Sequence, residues 1–355
     1  MVRRLLYLNG IAACLVPVHH GAAYGFAVMF NWGPNAGSTA AAGSLAYFMT
    51  LGVRQVVGFA IPAFLLISAF SIAISARGVQ GLKWEVIASR LKHLVWPFVI
   101  WTIFTHALLM NDPRELTLDD ILGMYYYIPV LAQLLLLSPF LVNWVKRSPR
   151  AALLVTGVIQ FTTMAVRYLA AINVHFGGQR LFLRLTAQWL FPGLIFYFTL
   201  GLVVGLHLVA AKEWLDKYRR VLVAVVIGSA VLSMLELHVA GILSGEGMVG
   251  AEFVGLFRTI YAVTFLLMYL AFDKGRLPLA EQIEGVGVVS LGVFYLNTPT
   301  NYVISSLLLH FIPAVVNFQW VYQPILMTAG LALPLLFIWF VRRSPLKPAY
   351  RYLFG

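Results

Sequence analysis

Two adjacent histidines, His19 and His20, stand in LVPVHHGAAYGF, a stretch otherwise dominated by apolar and small residues. Imidazole titrates near neutral pH and can act as a general base toward a hydroxyl group. In a bilayer such a group is costly and marks a functional site by default. Neighbouring side chains on a helix point about 100° apart, so at least one of the pair must face protein. Other ionisable residues fall in similar runs: Arg167, Glu236, His238 and Arg258, with His106 at the end of another and Arg54 near an edge. A second group, Arg90, Lys92 and His93, stands where the chain enters its third apolar run. Such a group suits an anion, since arginine binds phosphate in bidentate fashion. The histidines are scattered rather than spaced along one helix face, so no metal site is expected.

Each of these residues also has a structural reading. Glu236 and Arg258 fall at similar depth and can pair to lock two helices together. Arg90 and Lys92 can snorkel to an interface. His106 and His238 read as packed or interfacial side chains. Gly201 and Gly205, in GLVVG, read as a close helix contact needing no chemistry. Pro17, Pro62, Pro97, Pro192 and Pro299 interrupt apolar runs and read as kinks.

The elements that must position these groups are membrane helices. The chain has 355 residues, 61% hydrophobic and 11% charged, with a mean hydropathy of +0.86. A soluble domain carries about 25% charged residues. Apolar runs long enough to cross a bilayer fall at roughly 5–30, 55–76, 94–111, 124–145, 151–171, 186–208, 221–243, 253–272, 286–310 and 321–341. The fold class expected is all-α, a polytopic membrane protein of about ten spans. The first run is too long for a signal-peptide core and reads as a retained span. The one cysteine, Cys14, excludes an intrachain disulfide.

The net charge of +12 carries topology rather than nucleic-acid binding. With the N-terminus cytoplasmic, 19 of the 25 basic residues fall on inner segments, as the positive-inside rule requires. Both termini then face the cytoplasm. Arg114, Arg180 and Arg184 fall on outer loops. His20 lies 16 residues beyond Arg4, about 24 Å along a helix, and so in the outer half of the membrane. Residues 1–355 are expected to form a single transmembrane unit with no separate soluble domain. The segments 31–53 (outside) and 77–93 (inside) read as the longest loops, the latter as an amphipathic interfacial helix leading into span three. No internal repeat is visible, so the inverted-repeat signature of many transporters is missing.

In order and spacing these landmarks resemble the membrane-bound acyltransferase family 3, integral-membrane O-acyltransferases of bacterial surface glycans. Family members usually carry an arginine, ten residues and then a histidine in the first span. GIAACLVPVHH matches that stretch, with His20 on the histidine and Asn9 in the arginine's place. IPAFLLISAFSIA resembles the second span, with Ser68, Ala69 and Phe70 where Ser-Gly-Phe is usual. RLKHLVWPFVIW resembles the paired-arginine entry to span three, with Arg90 and His93 on the pair and Pro97 and Trp101 following. YYIPVLAQLLLLSPFL, YFTLGLVVG, SLGVFYLNTP and SPLKPAYRYLFG continue the series, with Asn297 where a histidine often precedes the span-nine proline.

The resemblance implies O-acyl transfer from cytoplasmic acyl-CoA, most commonly acetyl-CoA, to a hydroxyl of a carbohydrate or lipid-linked acceptor at the cell membrane. His20 is then expected to be the base, with His19 its neighbour and Asn9 an amide able to polarise a carbonyl. Arg90, Lys92 and His93 would dock the CoA phosphates, and Arg167, Glu236 and Arg258 would meet the acceptor. Membrane lipids and a glycan or glycolipid are the expected partners, with no nucleic acid. Two other readings stay open: a transporter or flippase using an intramembrane His, Arg and Glu path, and a catalytically degenerate relative that only binds its ligand.

Overall fold

A computed structural model describes residues 2–32, 43–78, 82–109, 116–244, 255–273 and 275–355. The tip of the expected outer loop (33–42), the expected outer-loop Arg114 and the two residues opening the expected eighth span lie outside the described residues. All regular structure among the described residues is helical. The helices are α1 (Val2–Ala27), α2 (Leu45–Val56), α3 (Ala60–Ser75), α4 (Trp84–Leu109), α5 (Leu118–Gly123), α6 (Tyr127–Arg147), α7 (Pro149–Ala171), α8 (Gln179–Leu185), α9 (Ile195–Leu206) and α10 (Leu208–Ser244). They continue as α11 (Leu256–Ala271), α12 (Ala280–Val288), α13 (Ser290–Phe311), α14 (Gln319–Arg343) and α15 (Tyr350–Phe354).

Seven described helical stretches are long and apolar enough to cross a bilayer: Arg3–Phe30, Leu45–Ser75, Trp84–Leu109, Tyr127–Arg147, Pro149–Ala171, Leu208–Leu243 and Gln319–Arg343. The protein is thus an all-α, multi-pass membrane protein. Two more expected spans appear as the shorter apolar helices Ile195–Leu206 and Leu256–Ala271. The ninth appears as α13.

Four boundaries differ from the sequence reading, each for a local reason. Residues 45–53, read as loop, are helical: Ser44 accepts the Tyr47 N–H and starts α2, which runs through a 3-10 turn at Val57–Phe59 into α3. The expected interfacial helix before span three is continuous with it, as the first turns of α4. The expected sixth span begins late, because Pro192 and Gly193 form a 3-10 turn that separates α8 from α9. α10 starts at Leu208 rather than 221; its 37 residues reach about 55 Å, well beyond a 30 Å hydrocarbon core. The overhang, KEWLDKYRR, is charged; within it Lys212 pairs with Asp216 at 2.8 Å, and it also reaches Asp273 at 2.9 Å.

α1 is the axis of the fold. It packs against α2, α3, α12, α13 and α14. Small residues allow this: Gly10 lies against the Ile283 backbone of α12, and Gly21 and Gly25 against Met327 and Gln323 of α14. The GLVVG motif behaves as the sequence reads it. Gly201 and Gly205 of α9 press onto Leu66, Ala69, Phe70 and Ala73 of α3, leaving no space for a Cβ. Leu8, Ala12, Leu65, Leu66, Ile72 and Tyr295 are fully buried at the centre.

Candidate functional site

The histidine pair sits well along α1, just after Pro17. Proline cannot donate to the carbonyl one turn back, so the helix backbone is loosened there. Both imidazoles line one cavity of about 370 Å³. Their rings meet edge to face, centroids 5.8 Å apart and planes at 83°. Each is half-buried, because the exposed part of each ring faces this space.

Several further elements close the cavity. The 3-10 turn and the start of α3 contribute Gly58 and Pro62. The turn between α5 and α6 contributes Tyr125 and Tyr126. Arg258 and Thr259 come from the first turns of α11, and Phe294 and Thr298 from α13. Tyr125 is fixed by donating to the Tyr295 carbonyl at 2.9 Å and sharing a 2.8 Å hydrogen bond with Thr105. Gly58 is needed where Arg258 crosses it, since an added Cβ would lie 3.0 Å from the guanidinium Nε. Arg54 is 2% exposed and stacks over Phe26, 5.2 Å from the ring centroid.

The other expected site residues divide. Arg167 donates to the Thr186 carbonyl at 2.8 Å and borders a cavity of about 60 Å³. That space shares Tyr126, Met164, Gln188 and Leu194 with the histidine cavity. Glu236 does not line the histidine cavity. Its carboxylate accepts the backbone N–H groups of Leu256 and Phe257 at 2.7 and 2.9 Å, so it caps α11, where the helix dipole favours an anion. It thereby holds the turn that presents Arg258.

Asn9 lies eleven residues before His20, about 16 Å along α1, and its amide donates to the Gly287 carbonyl at 2.7 Å and to Ser290 Oγ at 3.1 Å. It tethers α1 to the α12–α13 junction. Asn297 is buried and donates to the Gly330 carbonyl at 3.0 Å, joining α13 to α14. Arg90 donates to Ser71 Oγ at 2.9 Å, from α4 to α3. His93 is three positions on and shares the Arg90 face, whereas Lys92 is about 200° round the helix. His106 is buried, with Nδ1 2.8 Å from the Thr102 carbonyl oxygen, and His238 Nδ1 lies 3.1 Å from Tyr47 OH; both are packed side chains, as read.

Sequence reasoning did not single out Tyr126, Gln188, Thr259 and Thr298. The tyrosine run YYY at 125–127 and the break QWLFPG inside an apolar run are the signals that point to the first two. Thr259 and Thr298 look like ordinary helix residues, and only packing brings them to the histidines.

A profile of the acyltransferase-domain family matches residues 4–339. The chain belongs to this family. The match takes in α1 through most of α14, so the histidine cavity is built wholly within the family's domain. The chain is also 22% identical over 187 residues to probable poly-beta-1,6-N-acetyl-D-glucosamine export proteins of Staphylococcus aureus strains MSSA476 and MW2, covering 50% of this chain and 52% of theirs. The same holds for the strain MRSA252 protein. The chain thus spans about half the length of the curated relatives it matches. No solved structure matches it.

Proposed function

We propose that this acyltransferase-family protein moves an acyl group, most simply acetyl, from acyl-CoA to a hydroxyl of a carbohydrate or lipid-linked acceptor. The observation that carries this reading is the cavity that His19 and His20 line together with Arg258. His20 takes the proton of the acceptor hydroxyl as its oxygen attacks the thioester carbonyl. A C–O bond forms, the C–S bond breaks, and the CoA sulfur leaves as thiolate and takes up the proton from His20. Arg258 supplies positive charge near the developing oxyanion, where the shortage of water strengthens it.

The donor approaches from the other end. Arg90 and Ser71 offer a guanidinium and a hydroxyl for the nucleotide phosphates. Ser71 is nine positions beyond Pro62 on α3, about 14 Å from the cavity wall, a span suited to the extended pantetheine arm. The basic residues of the inner segments support a cytoplasmic position for this end, with the protein in the cell membrane. The acyl group then crosses toward the outer side while CoA stays inside.

Export is the second reading, favoured by the name of the S. aureus relatives. The two readings differ in donor dependence. Purified protein in nanodiscs, given acetyl-CoA and a hydroxylated acceptor, is expected to release free CoA thiol in the wild type and not in His20→Ala. Equal release from both overturns the assignment of His20. Glycan transport that proceeds without acyl-CoA favours export.

A further inference from the structure

α9 has 12 residues and rises about 18 Å, short of a 30 Å hydrocarbon core. Residues 186–194, just before it, therefore run at membrane depth without an α-helix. Peptide groups at that depth need partners, and side chains of α6 and α7 supply them. Arg167 donates to the Thr186 carbonyl at 2.8 Å. Gln133 donates to the Trp189 carbonyl at 2.8 Å and accepts the Phe191 N–H at 3.2 Å. The segment is thus a fixed frame, and its Gln188 and Leu194 line the histidine cavity.

α5 is held quite differently. None of its residues is buried, and Leu118 is 61% exposed. It needs no neighbour to stay helical, because Thr117 and Asp120 cap each other: the Asp120 N–H donates to Thr117 Oγ1 at 3.2 Å, and the Thr117 N–H to Asp120 Oδ2 at 3.0 Å. Asp119 Oδ1 accepts the Trp189 indole N–H at 2.6 Å, which ties α5 to the frame. That bond is exposed, so water competes for both groups. At its other end α5 runs into Gly123 and Met124, which line the cavity. A Cβ on Gly123 would meet nothing within 4 Å, so the turn has room to move. Motion stops at Tyr125, which is buried and bonded to Thr105 and the Tyr295 carbonyl. This turn lies at the end of α6 remote from Lys146 and Arg147, which is the outer end by the positive-inside rule.

We infer that α5 is a lid over the outer mouth of the histidine cavity, and that the Asp119–Trp189 hydrogen bond is its latch. With the bond made, Gly123 and Met124 close the cavity opposite Gln188. With the bond broken, α5 swings as a unit about Gly123 while the frame stays in place, and polar solutes reach the histidines from the outer water. A short helix without buried residues belongs to the least stable part of a fold, from which lids are drawn. The lid regulates the site of the transfer reading, and rests on that reading only for the identity of what enters.

The test uses the full chain in nanodiscs, with Cys14→Ser as background and Thr298→Cys as a reporter inside the cavity. The probe is methanethiosulfonate ethylsulfonate, a small water-soluble thiol reagent. Asp119→Asn and Trp189→Phe are each expected to speed labelling of the reporter by about tenfold, as loss of a hydrogen bond to a charged group allows. The double variant is expected to label no faster than either single one, because both remove the same bond. Equal rates with and without the latch overturn the lid, and additive effects overturn the latch. A second reporter, Ser138→Cys, sits at a fully buried position on α6 and is expected to stay unlabelled throughout. Its labelling in the variants means general loosening and also overturns the lid. Acetyl-CoA thiol release is measured on protein carrying the native Thr298. Latch-dependent labelling without thiol release keeps the lid and removes the transfer reading; thiol release with latch-independent labelling does the reverse.

Discussion

His19 and His20 present their rings edge to face, centroids 5.8 Å apart, to the same cavity. Adjacent residues on a helix rarely share one space, because their side chains diverge by about 100°. Here the cavity wraps round that part of α1, with Gly58 and Pro62 bordering it on one element and Phe294 and Thr298 on another. The two imidazoles are therefore separable by substitution. His20→Ala is expected to lower acyl transfer by about 10²–10⁴-fold, the usual contribution of a general base. His19→Ala is expected to fall well short of that, with folding intact in both. Thiol release and a thermal melt on the same samples check this; equal losses in the two variants would remove the distinction.

Arg90 and Lys92 are expected to behave differently, although the sequence puts them together. Arg90 reaches Ser71, and Lys92 faces away from it. Arg90→Ala is expected to raise KM for acetyl-CoA about tenfold with kcat nearly unchanged, and Lys92→Ala to do little. A fall in kcat at constant KM would take Arg90 out of donor docking.

Glu236 caps α11 through two backbone N–H groups. Glu236→Ala is expected to cost about 1 kcal/mol of stability, read as a lowered Tm in detergent. Because the cap holds the turn carrying Arg258, kcat is expected to fall as well, by much less than in Arg258→Ala. An unchanged Tm would mean that the carboxylate serves the ligand rather than the helix.

Gly201 and Gly228 offer a paired test of packing. A Cβ at Gly201 runs into the Leu66 carbonyl of α3, whereas one at Gly228 meets nothing within 4 Å. Gly201→Ala is expected to destabilise by about 1–3 kcal/mol, as overpacking does. Gly228→Ala is expected to be neutral or to stabilise α10, since alanine is the better helix former. Thermal melts of the two variants, side by side, decide it.

Much of the architecture is legible in the sequence because a bilayer imposes a simple rule. Backbone polar groups must be satisfied within the segment, so long apolar runs are helices, and basic residues mark their inner ends. That rule places α1, α6, α7 and α14 within a few residues. It fails at α2, whose residues 45–53 read as loop but are helical; beyond them Arg54 and Gln55 are buried, with Ser233 donating to Gln55 at 2.6 Å from α10. It also fails where a proline–glycine turn shortens α9.

The sequence by itself determined that His19 and His20 lie deep in a membrane helix, that the chain is polytopic, and which end of each helix is basic. Hydropathy, charge and helical rise are local quantities, so they can be read along the chain. Only the tertiary structure decided which polar groups meet. Arg258 and Thr298 join the histidines, while Asn9 and Asn297 fasten helices elsewhere. Glu236 of α10 caps α11. These outcomes depend on how helices rotate and cross, and that is set by side chains distant in sequence: glycines on α9 against alanines on α3, and a methionine on α7 against a threonine on α11.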